Sequence, residues 1–174
     1  HNRSAYEVFA LSANNNVNKM LELCQEFKPR YAVLVDKEAA LKLKTLVDSC
    51  TKVLSGLDAL NDICSDECVD VVMSAIVGAA GLLPTLSAIR ANKRILLANK
   101  ESLVMSGQLF INELRQSNAT LVPVDSEHNA IFQALPVLAQ QQLGHCGLNK
   151  LGVEKLLLTG SGGPFLTTAM NQLD

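Results

Sequence analysis

The residues best suited to chemistry lie in Leu121-Val122-Pro123-Val124-Asp125-Ser126-Glu127-His128-Asn129-Ala130. An apolar run stops at two carboxylates with only Ser126 between them. Acids so close repel each other, and a hard divalent cation such as Mg²⁺, which prefers carboxylate oxygen, relieves that repulsion. The same residues also suit the start of a helix. Asp125 and Ser126 can accept hydrogen bonds from free first-turn amides, and Glu127 is favoured near the positive helix end. Spacing leaves both readings open, and caps are the commoner use of such residues.

Three further clusters carry the same ambiguity. In Asn99-Lys100-Glu101 the lysine could hold a phosphate or polarise a carbonyl, or Asn99 could cap a helix in a solvated turn. Gly78-Ala79-Ala80-Gly81 could offer backbone N–H groups to an anion; it lacks the G-x-G-x-x-G spacing, and a tight strand-to-helix turn explains it equally well. Gly160-Ser161-Gly162-Gly163-Pro164 could form a phosphate nest with the Ser161 hydroxyl, or a kinked loop, and is not a nucleophile elbow. His128 reads as a helix-surface or supporting residue and His145 as a loop residue. Neither has partners at the spacing of a hydrolytic triad.

These clusters need elements to hold them. Apolar runs at Tyr6–Leu11, Tyr31–Val35, Thr51–Leu54, Val69–Ile76, Arg94–Ala98 and Ala119–Val124 read as strands. Between them lie helical patterns over Val17–Phe27, Lys37–Val47, Leu82–Ala91 and Ser102–Gln116, with a short helix after Ser55. Alternating strands and helices with short connections describe a parallel sheet with helices on its faces. Ligands collect outside the carboxyl ends of such strands, and Asn14–Asn16, Gly78–Gly81, Asn99–Glu101 and Asp125–Glu127 all follow strands. Beyond them, Asn129–Leu138 reads as a helix broken or ended near Pro136, and Val153–Thr159 as a strand.

Composition narrows the class. The 174 residues are 48 % hydrophobic and 18 % charged with a net charge of −2, which fits a globular chain and gives no basic face for charge-driven nucleic-acid binding. No apolar run reaches the ~18 residues of a membrane span. Five cysteines without C-x-x-C spacing read as free thiols in a reducing cytoplasm. His1 opens the chain without a charged-then-apolar leader, and Met170–Asp174 follows soon after a glycine-rich stretch, so a fragment at both ends is expected.

Four segments taken together resemble one enzyme family. They are Ala75-Ile76-Val77-Gly78-Ala79-Ala80-Gly81-Leu82-Leu83-Pro84-Thr85, Leu97-Ala98-Asn99-Lys100-Glu101-Ser102-Leu103-Val104, Pro123-Val124-Asp125-Ser126-Glu127-His128-Asn129-Ala130-Ile131-Phe132-Gln133 and Leu158-Thr159-Gly160-Ser161-Gly162-Gly163-Pro164-Phe165. In order and approximate spacing they are similar to 1-deoxy-D-xylulose 5-phosphate reductoisomerases. The resemblance implies an NADPH-dependent enzyme of non-mevalonate isoprenoid biosynthesis and a target of fosmidomycin. Such an enzyme rearranges the carbon skeleton of its sugar phosphate and reduces the resulting aldehyde to 2-C-methyl-D-erythritol 4-phosphate. By the same resemblance Asp125 and Glu127 are ligands of Mg²⁺ or Mn²⁺, and Lys100, Asp125 and Glu127 are catalytic. Lys100, Ser126, Glu127 and Ser161 meet the substrate, with Ser161 on its phosphate. Asn14, Asn15 and Asn16 lie by the adenosine 2′-phosphate, Ala75 and Ile76 by the nicotinamide, and Asn99 and Glu101 also meet the cofactor.

The implied fold class is α/β. A Rossmann-like, mostly parallel sheet with helices on both faces forms an NADPH-binding domain over residues 1–124. The start of a second, α+β catalytic domain follows over 125–174. The expected assembly is a cytoplasmic homodimer of the full-length enzyme, with no nucleic-acid or membrane partner. Two departures stand out. The family's first strand and Gly-x-Thr-Gly-Ser-Ile-Gly pyrophosphate loop have no match here, nor does the third metal carboxylate. Asn14 and Asn15 replace the glycine and lysine frequent at the 2′-phosphate, leaving less charge to favour NADP. A rival expectation is an inactive fragment or a non-catalytic α/β binding module.

Overall fold

Apolar runs make short strands, and the side chains of Asn16, Asp36, Asn99 and Asp125 cap the helices that follow four of them, whereas Gly56 and Gly81 hold the cap positions of two others. The computed structural model describes residues 5–157, 168–169 and 172. Its elements are β1 (Ala10–Ala13), α1 (Val17–Phe27), β2 (Tyr31–Leu34), α2 (Lys37–Lys44), β3 (Lys52–Ser55), α3 (Leu57–Ser65) and β4 (Val71–Ser74). A 3₁₀ turn at Ala79–Gly81 leads into α4 (Leu82–Arg90), β5 (Arg94–Leu97), α5 (Lys100–Arg115), β6 (Thr120–Pro123), α6 (Ser126–Ala134) and α7 (Val137–Gln141).

Every strand pairing among the described residues is parallel. Strands β1-β2-β3 form one sheet and β4-β5-β6 another, with Leu11 opposite Ala32 and Leu97 opposite Pro123 marking the registers. The expected α/β class of parallel sheets flanked by helices is therefore what the chain adopts, but as two three-stranded halves. Among the described residues, β1 and β4 each lack a strand partner on their outer edge. A groove of about 1290 Å³ lies between them, lined from both sides by residues such as Ala10, Ser12, Val71 and Met73.

Each half buries its own core. Met20, Cys24, Ala32, Leu34 and Leu43 pack in the first. Leu86, Ile89, Ile95, Phe110, Leu114 and Leu121 pack in the second. A bidentate pair joins α4 to α5: Arg90 Nε and Nη2 donate to Glu113 at 3.0 and 2.6 Å. All five cysteines are free thiols.

Several boundaries differ from expectation. The first strand begins at Ala10 rather than Tyr6, because pairing with β2 covers only Ala10–Ala13. The helix after β5 starts at Lys100, two residues early, because Asn99 caps it. The break expected near Pro136 is present, since proline cannot continue α6, but α6 begins at Ser126 rather than Asn129 because Asp125 caps it. Residues 153–157 of the expected strand at Val153–Thr159 are irregular, and Leu157 is 90 % exposed; residues 158 and 159 lie outside the described part. No described helix is long and apolar enough to cross a membrane.

Candidate active site

The parallel pairing of β4, β5 and β6 brings three of the polar clusters to one carboxyl edge. Asn99–Glu101 follows β5, Asp125–Glu127 follows the adjacent β6, and the Ala75–Gly81 turn follows β4. Asn14–Asn16 occupies the same position after β1 in the other sheet.

Asp125 caps α6. Its Oδ1 accepts the His128 amide at 3.2 Å and lies 2.7 Å from His128 Nδ1. The cap predicted from spacing is thus present, and His128 supports Asp125 from the same helix turn. Burial pushes the Asp125 carboxyl up. The ring and amide hydrogen bonds from His128, with the charges of His128 and Lys100, outweigh it and hold the group below its ordinary value. Glu127 is exposed and is also held below its ordinary value, first by its own amide and by Ser126 Oγ, which donates to Oε2 at 2.9 Å, then by Lys100. Both acids are therefore ionised at neutral pH despite their mutual repulsion. Lys100 is exposed and supplies positive charge to both. Among the described residues, no three His, Cys, Asp or Glu side chains converge as a complete cation cage.

The other expected residues fall as follows. Asn14, Ala75 and Ile76 line the groove between β1 and β4 together. Asn15 is exposed, and Asn16 caps α1 by accepting the Lys19 amide at 3.0 Å. Glu101 is exposed in the first turn of α5. Asn99 is 2 % exposed, and its side chain bonds within the protein to Gly78 and Ser102. Ser161 lies outside the described residues. Ser74 and Thr85 form a buried hydroxyl pair at 2.6 Å that no motif in the sequence marks. The available signal was a serine near the end of the otherwise apolar run Val69–Ile76.

The model of the 1-deoxy-D-xylulose 5-phosphate reductoisomerase family matches residues 1–107, more than half of the chain. The chain belongs to that family. The model of the reductoisomerase C-terminal domain matches residues 121–174. The reductoisomerases of Shewanella sediminis and Shewanella woodyi are 57 % and 55 % identical, each over 99 % of this chain. A crystal structure of a reductoisomerase in complex with NADPH, fosmidomycin and magnesium superposes with a TM-score of 0.86 at 44 % identity, over 98 % of this chain and 42 % of that one. The Zymomonas mobilis reductoisomerase in complex with NADPH gives 0.85 at 41 % identity, over 97 % and 42 %. The chain spans 44 % of the length of the Shewanella reductoisomerases.

Proposed function

We propose that this chain supplies the cofactor-facing and metal-facing edge of an NADPH- and divalent-metal-dependent reductoisomerase. The enzyme converts 1-deoxy-D-xylulose 5-phosphate to 2-C-methyl-D-erythritol 4-phosphate. The observation that carries the reading is the pair Asp125 and Glu127, both ionised, sharing the positive charge of Lys100 at the carboxyl edge of β5 and β6. The magnesium and NADPH of the reductoisomerase structures support the same assignment.

The residues suit a hard cation. The donor set is carboxylate oxygen, and two acids with depressed pKa values need no deprotonation to receive it. Asp125 and Glu127 would hold Mg²⁺ or Mn²⁺, which supplies Lewis-acid polarisation of a substrate oxygen. Ser126 orients Glu127 through its hydroxyl and contacts substrate. Lys100 adds a fixed positive charge where negative charge develops. Ser161 binds the substrate phosphate.

NADPH supplies the reducing equivalents. Asn14, Asn15 and Asn16 would face its 2′-phosphate, Ala75 and Ile76 its nicotinamide end, and Glu101 would join them, with Asn99 contributing from beneath. The groove supports this: Asn14, Ala75 and Ile76 share it. At about 1290 Å³ it exceeds the ~300–1,000 Å³ of an ordinary small-molecule site. β1 and β4, the strands that border it, each lack a strand partner on that side among the described residues. Residues 1–124 form the nucleotide domain and 125–174 begin the catalytic domain of a cytoplasmic homodimer, a compartment consistent with five free thiols. A second reading, an inactive piece when alone, is favoured by the 44 % span and the open groove.

Isothermal titration with Mn²⁺ tests the metal assignment. The protein is the full-length enzyme obtained by placing this chain in the matching segment of the Shewanella sediminis relative. Asp125→Asn should weaken Mn²⁺ binding at least about tenfold. Equal affinity in the two proteins would sink the assignment.

A further inference from the structure

Beneath the Ala75–Gly81 turn lies a set of polar side chains that do not reach solvent. Ser74, Thr85, Asn99 and Ser102 are 6, 1, 2 and 0 % exposed. Buried polar groups are costly unless bonded, and each of these is. Asn99 Nδ2 donates to Gly78 O at 3.0 Å and to Ser102 Oγ at 2.7 Å, and its Oδ1 accepts the Ser102 amide at 3.2 Å. Both amide hydrogens are thereby engaged. Thr85 Oγ1 gives its single proton to Gly81 O at 2.6 Å, so the Ser74 hydroxyl must donate to Thr85, also at 2.6 Å. Ser74 O accepts the amides of Ala98 and Asn99 at 2.9 and 3.0 Å.

The turn is therefore tied down at Ser74, Gly78 and Gly81, while Ala75 and Val77 face outward. The fit is close. A Cβ on Gly81 would collide with the Asn99 amide and come within 2.6 Å of Ile76 O. Gly78 holds a φ of +75° that a side chain would strain.

We propose that Asn99 is a positioning residue: its amide, with Ser102 and the Ser74–Thr85 hydroxyl pair, latches the Ala75–Gly81 turn to the head of α5. The latch fixes the wall that meets NADPH relative to Lys100, the next residue after Asn99. This rests on the cofactor reading above. A helix cap alone requires only an acceptor at residue 99. The latch requires an amide donor as well.

Asn99→Asp and Asn99→Ser separate the two, because Asp and Ser cap helices about as well as Asn and neither supplies the amide donor that bridges Gly78 and Ser102. In the full-length enzyme both variants should raise the NADPH KM about tenfold or more, with kcat moving far less. In the 174-residue chain, amide exchange at Gly81, Ala98 and residue 99 should speed up while the Ser102 amide, still capped, stays protected. Thr85→Val, which keeps the shape and removes the hydroxyl, should loosen Gly81 likewise. An NADPH KM within about twofold of wild type overturns the proposal, whether or not exchange changes, and leaves Asn99 as a cap. If the wild-type full-length enzyme oxidises no NADPH, the cofactor reading fails separately, and unchanged exchange in the variants would still overturn the latch.

Discussion

Asp125 combines two roles that share one carboxylate. It caps α6 through the His128 amide, and it stands ionised beside Glu127 and Lys100. The cap was legible in the sequence because its cause is local: a short acceptor at the end of an apolar run. Asn16, Asp36 and Asn99 cap α1, α2 and α5 for the same reason. The second partner of Asn99 was not legible. Gly78 lies 21 residues away, and only the pairing of β4 with β5 brings it near. Glu113 gives a residue-level test of electrostatics. Hydrogen bonds from Arg90 and its charge, against burial, hold this carboxyl below its ordinary value. Folding therefore favours its ionised form. That contribution is present above the unfolded pKa of about 4.3 and is lost as pH falls through the lower folded value. In urea unfolding Glu113→Gln should be less stable than wild type at about pH 7, with the gap closing at about pH 2.5. A gap of the same size at both would remove the ion pair as its source.

Most elements follow from periodicity, since helices and buried strands leave different apolar spacings. Their ends do not, because ends are set by partners. Tyr6–Phe9 precedes β1 without joining its register; Phe9 O still accepts the Tyr31 amide at 3.2 Å, and its ring lies 5.4 Å from that of Tyr31, with Arg30 stacked on both. The long helix α5 shows a different kind of detail. It leaves helical geometry at Ser106, with φ −136° and ψ 30°, just before Gly107. A Cβ on Gly107 would meet nothing within 4 Å. Glycine inside a helix costs roughly 0.5–1 kcal/mol relative to alanine. Gly107→Ala should therefore raise unfolding stability by about that amount in urea titration. A loss of stability would show that the break at Ser106 depends on the glycine.

At the level of the molecule, spacing identifies parallel strands and places the polar clusters at their carboxyl ends, but it does not encode strand order. The division into β1-β2-β3 and β4-β5-β6, with a groove between, appears only in three dimensions. The strand order also explains why Asn14 and Ile76, far apart in sequence, share one groove. Only the family motifs single out the site residues, because two acids around a serine are in isolation more often a helix cap than a metal site. The chain spans 44 % of the length of the Shewanella reductoisomerases, and the groove between β1 and β4 is open. The most direct measurement is NADPH oxidation with 1-deoxy-D-xylulose 5-phosphate and Mg²⁺ by the full-length enzyme carrying this chain, beside its Asp125→Asn variant and the 174-residue chain alone. The account predicts turnover by the first, a loss of at least about 10²–10³-fold in the variant, and none by the chain alone. Turnover by Asp125→Asn within a few-fold of wild type would contradict it.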